Sequence, residues 1–289
     1  MHPPLPVLAL LTNALIWGLA WWPFRQMLGA GLHPLWATAL MYAAIVLGFS
    51  ALRSGVWRQV RAVPTLALLA FSSGLNNVAF NWAISIGDVV RVILLFYLMP
   101  AWAVLLAWRI LGERPTRAAL ARLLVAFAGV LLVLWPAGGA ARLGAALGLA
   151  DVLALLGGFM FALTNVLLRR LQAVEAQARM LAMFTGCTLM ALAAAAAGHA
   201  LGQVPAFPPF DIAWAGVATV LTLLLLAGNW ALQYGAARLA AGTTAVVMLS
   251  EVAFASVSSM LAGSSEPSLR TLLGGALVIG AALAAARRR

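Results

Sequence analysis

The sequence predicts an all-α integral membrane protein, with ten transmembrane helices as two inverted five-helix repeats and both termini cytoplasmic. Three observations lead there. The 289-residue chain is 64% hydrophobic and 9% charged, against about 25% charged residues in a typical soluble domain. Its apolar residues gather into ten runs, each near the length that crosses a hydrocarbon layer of about 30 Å. Its basic residues are distributed unequally on the two sides of those runs. A mean hydropathy of +1.02 leaves too little polar surface to coat a water-facing globule.

The runs lie at about 6–28, 34–52, 62–84, 88–108, 119–136, 145–168, 178–198, 212–235, 241–262 and 269–286. The breaks between them hold Arg, Gly and Pro, which lipid tolerates poorly. Pro34, Pro64 and Pro267 stand at first-turn positions, where a missing N–H costs little. The first run has no basic leader and no clear small-x-small cleavage site, so it reads as a retained helix. Ten crossings return the chain to the side on which it began. That side carries fourteen arginines: Arg53, Arg58, Arg61, Arg109, Arg114, Arg117, Arg122, Arg169, Arg170, Arg179, Arg238 and Arg287 to Arg289. The other carries four: Arg25, Arg91, Arg142 and Arg270. By the positive-inside rule the richer side is cytoplasmic, and the +11 net charge needs no nucleic acid to explain it. The lysine-free, alanine-rich composition points weakly to a bacterium of high GC content, hence to an inner (plasma) membrane location.

The same counts exclude much chemistry. Without a lysine there is no P-loop lysine and no Schiff base. Cys187, the only cysteine, forms neither an internal disulfide nor a multi-cysteine metal site. His2, His33 and His199 sit in or beside connections without ligand spacing, and the seven acids are scattered. No cofactor, no metal and no enzymatic activity are expected. The partners expected are membrane lipid and a small-molecule substrate, with the protein a monomer.

The two halves resemble each other. Asn77-Val-Ala-Phe-Asn81-Trp82 in the third run matches Asn229-Trp-Ala-Leu-Gln233-Tyr234 in the eighth, at a spacing of 152. Trp17-Gly18 with Arg25 matches Phe161-Ala162 with Arg169 at 144, and Glu113…Arg117 matches Glu266…Arg270 at 153. Three matches in one order indicate a duplication, with halves 1–140 and 141–289. Five crossings per half is an odd number, so the halves lie in opposite senses. That is the inverted repeat by which many secondary transporters alternate access to a central site.

Several of these segments carry a resemblance to a known family. Trp17-Gly18, Pro100-Ala-Trp-Ala, Leu111-Gly112-Glu113-Arg114, Glu251-Val-Ala-Phe-Ala, Gly263-Ser-Ser-Glu266 and Gly274…Gly280 resemble the drug/metabolite transporter superfamily in its ten-helix form with two EamA-type halves. More narrowly, the chain is similar to the aromatic amino-acid exporters of that superfamily. The resemblance covers essentially the whole chain through short, degenerate motifs, and the proline usual in the ninth helix is absent near Glu251. It implies efflux of aromatic and other neutral amino acids. A drug, vitamin or other metabolite carrier is the alternative within transport, and an intramembrane enzyme the alternative from another class.

Candidate cargo contacts follow from polar and aromatic residues deep within runs. Asn77 and Asn81 share one helix face, as do Asn229 and Gln233. Such pairs serve either a zwitterion or the adhesion of one helix to another. Trp17, Tyr97 and Trp102, with Phe161 and Asn165 in the sixth run, complete the substrate-binding set, although core packing explains any single aromatic as well. Trp57, Trp108, Trp135 and Trp214 fit an interfacial belt. Glu251 is the one acid clearly inside a run; it is either a proton-coupling group or a neutral structural acid, with Arg91 a distant partner. Pro100 removes the N–H that would bond the Phe96 carbonyl, so it marks a bend or hinge. Glu113 and Glu266, each four residues before an arginine, are expected to stabilise helix ends.

Overall fold

The computed structural model describes residues 5–87, 89–135, 147–262 and 269–286, and all regular structure among them is helical. The first run is α1 (Leu5–Leu19) and α2 (Trp21–Gly29), parted at Ala20; the second is α3 (Pro34–Leu52). A short α4 (Val56–Ala62) precedes α5 (Thr65–Ile86), and α6 (Val89–Phe96) and α7 (Met99–Leu111) share the fourth run. Then come α8 (Arg117–Leu134), α9 (Leu149–Arg170), α10 (Ala176–Ala200) and α11 (Ile212–Ala236). The ninth run is again split, into α12 (Ala241–Met248) and α13 (Ser250–Leu261), and α14 (Leu269–Ala286) closes the chain.

Among the described residues six helices are long and apolar enough to cross a membrane, and a seventh if α4 and α5, which meet at 99°, count as one. The protein is therefore an all-helical, multi-pass membrane protein. The expected boundary between halves, at residues 140 and 141, lies outside the described residues, as do Asp88, Glu266, Pro267 and the side chain of Arg91. Helix starts follow local chemistry. Pro34 occupies the first turn of α3 with His33 as N-cap, and Thr116 and Asp211 accept from the N–H groups of Ala119 and Ala213 to cap α8 and α11. At α9, Asp151 Oδ2 accepts from the Gly148 N–H at 2.8 Å.

Large apolar side chains such as Leu47, Leu124, Leu189, Leu223 and Ile212 point outward, as a lipid-solvated surface requires. Inside, small residues set the helix spacing. Gly74 on α5 faces the backbone of Gly186 on α10, which in turn faces the Ala70 carbonyl, and Gly129 on α8 faces the Gly274 carbonyl on α14. A β-carbon at any of these would collide with the opposing main chain. This is the small-residue packing that lets membrane helices adhere through van der Waals contact.

The neighbour relations are regular. α5 packs on α9, and α11 packs on α1; α6 and α7 pack on α9, and α12 and α13 pack on α1. α3 packs on α10, α8 on α14 and α7 on α12. One expected belt residue departs from its role: Trp214 is buried, its Nε1 donates to the Pro209 carbonyl, and its ring meets Phe207 and Phe210 edge-on. Folded aromatics of the 205–211 connection cover a ring that the sequence places at the lipid interface.

Candidate functional site

Two interrupted helices pack together through α7 and α12. Pro100 leaves the Phe96 carbonyl without its helical donor, and the chain turns at Tyr97–Leu98, where the Leu98 N–H bonds the Leu95 carbonyl instead. Gly158 of α9 lies against that freed carbonyl: a β-carbon there would stand 2.5 Å from the oxygen. The second interruption, at Leu249, has no proline. The Leu249 N–H bonds the Val246 carbonyl and the Val252 N–H bonds the Leu249 carbonyl, the tight i to i+3 pattern. Gly18 of α1 lies against the Glu251 carbonyl and the Phe254 β-carbon. Each interruption thus sits beside a glycine of the facing helix.

Glu251 follows the second interruption and is half-buried, while Tyr97, at the first, is buried. Tyr97 belongs to an aromatic cluster. Phe96 meets Phe80, Tyr97 and Phe161 at centroid distances of 4.5, 5.8 and 5.9 Å. Of these, Phe80 and Phe96 were not singled out by their spacing, since an apolar ring in an apolar run carries no distinguishing signal. Trp102 stands apart, edge-on to Phe159, and its buried Nε1 has no hydrogen-bond partner among the described residues. Trp17 packs with Ala20, Met27 and their neighbours in a different cluster. One turn on, Trp21 Nε1 donates to Ser258 Oγ at 2.9 Å and ties α2 to α13.

The carboxamides divide into two kinds. Asn77 donates to the Tyr42 hydroxyl and to Cys187 Sγ, and Asn81 donates to Thr38 Oγ1 and to Asn77 Oδ1. That pair sews α5 to α3 and α10, which satisfies much of the helix-adhesion reading. Asn229, Gln233 and Asn165 are less satisfied. Gln233 Nε2 donates to the Met183 thioether, a weak acceptor, while its Oε1, Asn229 Oδ1 and both amide atoms of Asn165 have no partner among the described residues.

At the arginine-rich end Glu113 serves a helix end, as expected, but that of α12 and with Arg169 as its basic partner in place of Arg117. Gly112 turns through a left-handed conformation (φ 72°) and carries Glu113 back across the helix ends. Its Oε1 accepts from Arg169 Nε at 3.4 Å, and its Oε2 accepts from the Ala241 N–H, at the start of α12, at 3.1 Å. One Arg169 terminal nitrogen donates to the Ala237 carbonyl at 2.8 Å and to Gln172 Oε1 at 2.9 Å. Beneath lie two alanine-rich contacts, Ala107 with Val166 and Ala241, then Ala103 with Ala162 and Ala245. At the arginine-poor end, Trp21, Trp22, Arg25, Gln26 and Ala262 instead border a depression of about 380 Å³. Among the described residues no three His, Cys, Asp or Glu side chains converge as metal ligands.

Residues 4–135 match the EamA-like transporter family, a family of transporters rather than enzymes. No curated protein matches the chain. A solved structure described only as that of a protein superposes with a TM-score of 0.77 at 20% identity, over 97% of this chain and 96% of its own. That likeness concerns the fold.

Proposed function

We propose, from the match of residues 4–135 to the EamA-like transporter family, that the protein is a secondary transporter that exports aromatic and other neutral amino acids by alternating access. Ten crossings form two inverted five-span repeats, with both termini in the cytoplasm of a bacterium whose inner membrane holds the protein as a monomer. The observation that carries the alternating-access part of this reading is an exchange symmetry in much of the packing, although the extensive contact of α5 with α10 maps onto a far smaller one of α11 with α3. Swapping the halves turns α5 on α9 into α11 on α1, and turns α6 and α7 on α9 into α12 and α13 on α1. The pairs α3 with α10, α8 with α14 and α7 with α12 map onto themselves. The interruption at Tyr97 recurs at Leu249, 152 residues on, the offset that relates Asn77 to Asn229.

The arginine-rich, cytoplasmic end is tied shut by Glu113 and Arg169, while the other end holds the depression beside Trp21, an outward-facing arrangement. Tyr97, Phe161, Trp102 and Trp17 supply apolar and edge contacts to the cargo side chain, each pair worth about 0.5–1.5 kcal/mol. Asn77, Asn81, Asn165, Asn229 and Gln233 supply hydrogen bonds to its ammonium and carboxylate. Glu251, beside the second interruption, couples transport to protons, and Pro100 is the hinge of the first. The outward direction of transport rests on the family resemblance.

Counterflow in proteoliposomes with a panel of radiolabelled amino acids tests the reading. Accumulation of phenylalanine and tryptophan above glutamate and arginine is expected. Exchange confined to other solutes would replace amino acids with another metabolite class.

A further inference from the structure

Each of three groups in the cytoplasmic tie has a buried polar side chain about one turn deeper in the membrane. Asn165 is four residues inward of Arg169, Gln233 four inward of Ala237, and Thr244 three inward of Ala241, each a step of about 5 Å along its helix. Their exposures are 1%, 0% and 0%. The three helices that carry them, α9, α11 and α12, pack on one another. Both amide atoms of Asn165, Gln233 Oε1 and Thr244 Oγ1 lack a hydrogen-bond partner among the described residues. Buried donors and acceptors are almost always paired, because an unpaired one forfeits its hydration without return. All three residues lie in a layer about one turn beneath the latch, on helices that pack on one another.

We propose that Asn165, Gln233 and Thr244 form a cytoplasmic-side subsite for the zwitterionic head of an amino acid, sealed in this conformation by the Glu113–Arg169 latch on the α11–α12 turn. The inference rests on the alternating-access reading and deepens it. Carboxamide and hydroxyl groups both donate and accept, so the layer meets an ammonium and a carboxylate without a fixed charge of its own. Phe161 lies four residues inward of Asn165 on the same face of α9, which aligns an apolar side chain with the aromatic cluster while the head stays at the layer. The latch joins the two halves: Glu113 closes α7, whereas Ala237 and Ala241 belong to the second half. Release of the latch frees the ends of α7, α9 and α12 together and admits water and cargo to the layer.

The test is chemical accessibility. Thr244→Cys, with Cys187→Ala, is placed in inside-out vesicles and exposed to a membrane-impermeant maleimide. With the latch intact labelling is slow. Glu113→Gln and, independently, Arg169→Gln each raise the labelling rate about tenfold, the order expected when a charge-assisted hydrogen bond is removed from one of two states. Ala178→Cys, at a buried position near the arginine-rich end of α10, stays unreactive in the same backgrounds. Unchanged Thr244→Cys labelling, or equal gains at the Ala178 position, would overturn the latched subsite. In parallel, Asn165→Ala and Thr244→Val are assayed for phenylalanine exchange. A rise in KM for phenylalanine from the cytoplasmic side, with phenethylamine exchange spared, supports the head-group role; equal loss for both overturns it. Should the unaltered protein move no phenylalanine, the amino-acid reading falls, while the maleimide result still decides the latch.

Discussion

Between α6 and α7 the backbone turns at a proline, whereas between α12 and α13 it turns at Leu249 with no proline nearby. Both interruptions face a glycine on the helix across from them, Gly158 of α9 at the first and Gly18 of α1 at the second. The comparison separates two causes of a broken span. A local chemical lesion accompanies the first and not the second, while at both a neighbouring helix approaches closely enough to hold the bent backbone. The glycine is common to both and the proline is not, so the architecture depends on close approach more than on the missing N–H.

Substitution ranks the two causes. The largest effect is expected from Gly158→Leu and Gly18→Leu, which drive carbon into the opposing main chain and destabilise the fold by about 1–3 kcal/mol. Loss of monodisperse protein and of flux in both variants would sustain the parallel, and tolerance of one but not the other would break it. Glu251→Gln comes next. Flux by the unaltered protein should vary with pH and that of the variant should not; superimposable pH profiles would remove Glu251 from coupling. Third is the contrast between Asn77→Ala and Asn229→Ala. The first loses bonds to Tyr42 and Cys187 and should lower thermal stability, at about 0.6 kcal/mol per interhelical bond. The second, whose oxygen has no partner among the described residues, should leave stability unchanged and reduce discrimination between phenylalanine and phenethylamine. The smallest effect belongs to Pro100→Ala, because Gly158 already holds the bend and membrane helices accommodate proline readily. A modest change in turnover without loss of folding is expected there, and unfolding would restore proline as the cause.

The legibility of the sequence followed the same division. Among the described residues every apolar run falls on a helix or an interrupted pair, because burial in lipid writes itself into composition run by run. Pro34 and Pro100 announced a helix start and a break, since proline acts through its own backbone. The break at Leu249 was invisible, as nothing in Met248-Leu-Ser-Glu251 forbids a continuous helix. Glu113 pointed to Arg117 by spacing, yet its partners are Arg169 and Ala241, which only the folded chain brings near. Trp214 read as an interfacial ring until the 205–211 connection folded over it. Thr244 carried no signal at all, because a threonine among alanines and valines declares its importance only through the absence of a partner.

The central claim is that two inverted halves expose one central site to each side in turn. Pulsed electron–electron resonance, with one label pair bridging α2 and α13 and a second bridging α7 and α12, tests it most directly. On adding cargo, the account predicts that the distance at the arginine-poor end shortens while that at the arginine-rich end lengthens. Distances that stay fixed, or that change together in the same sense, would contradict it.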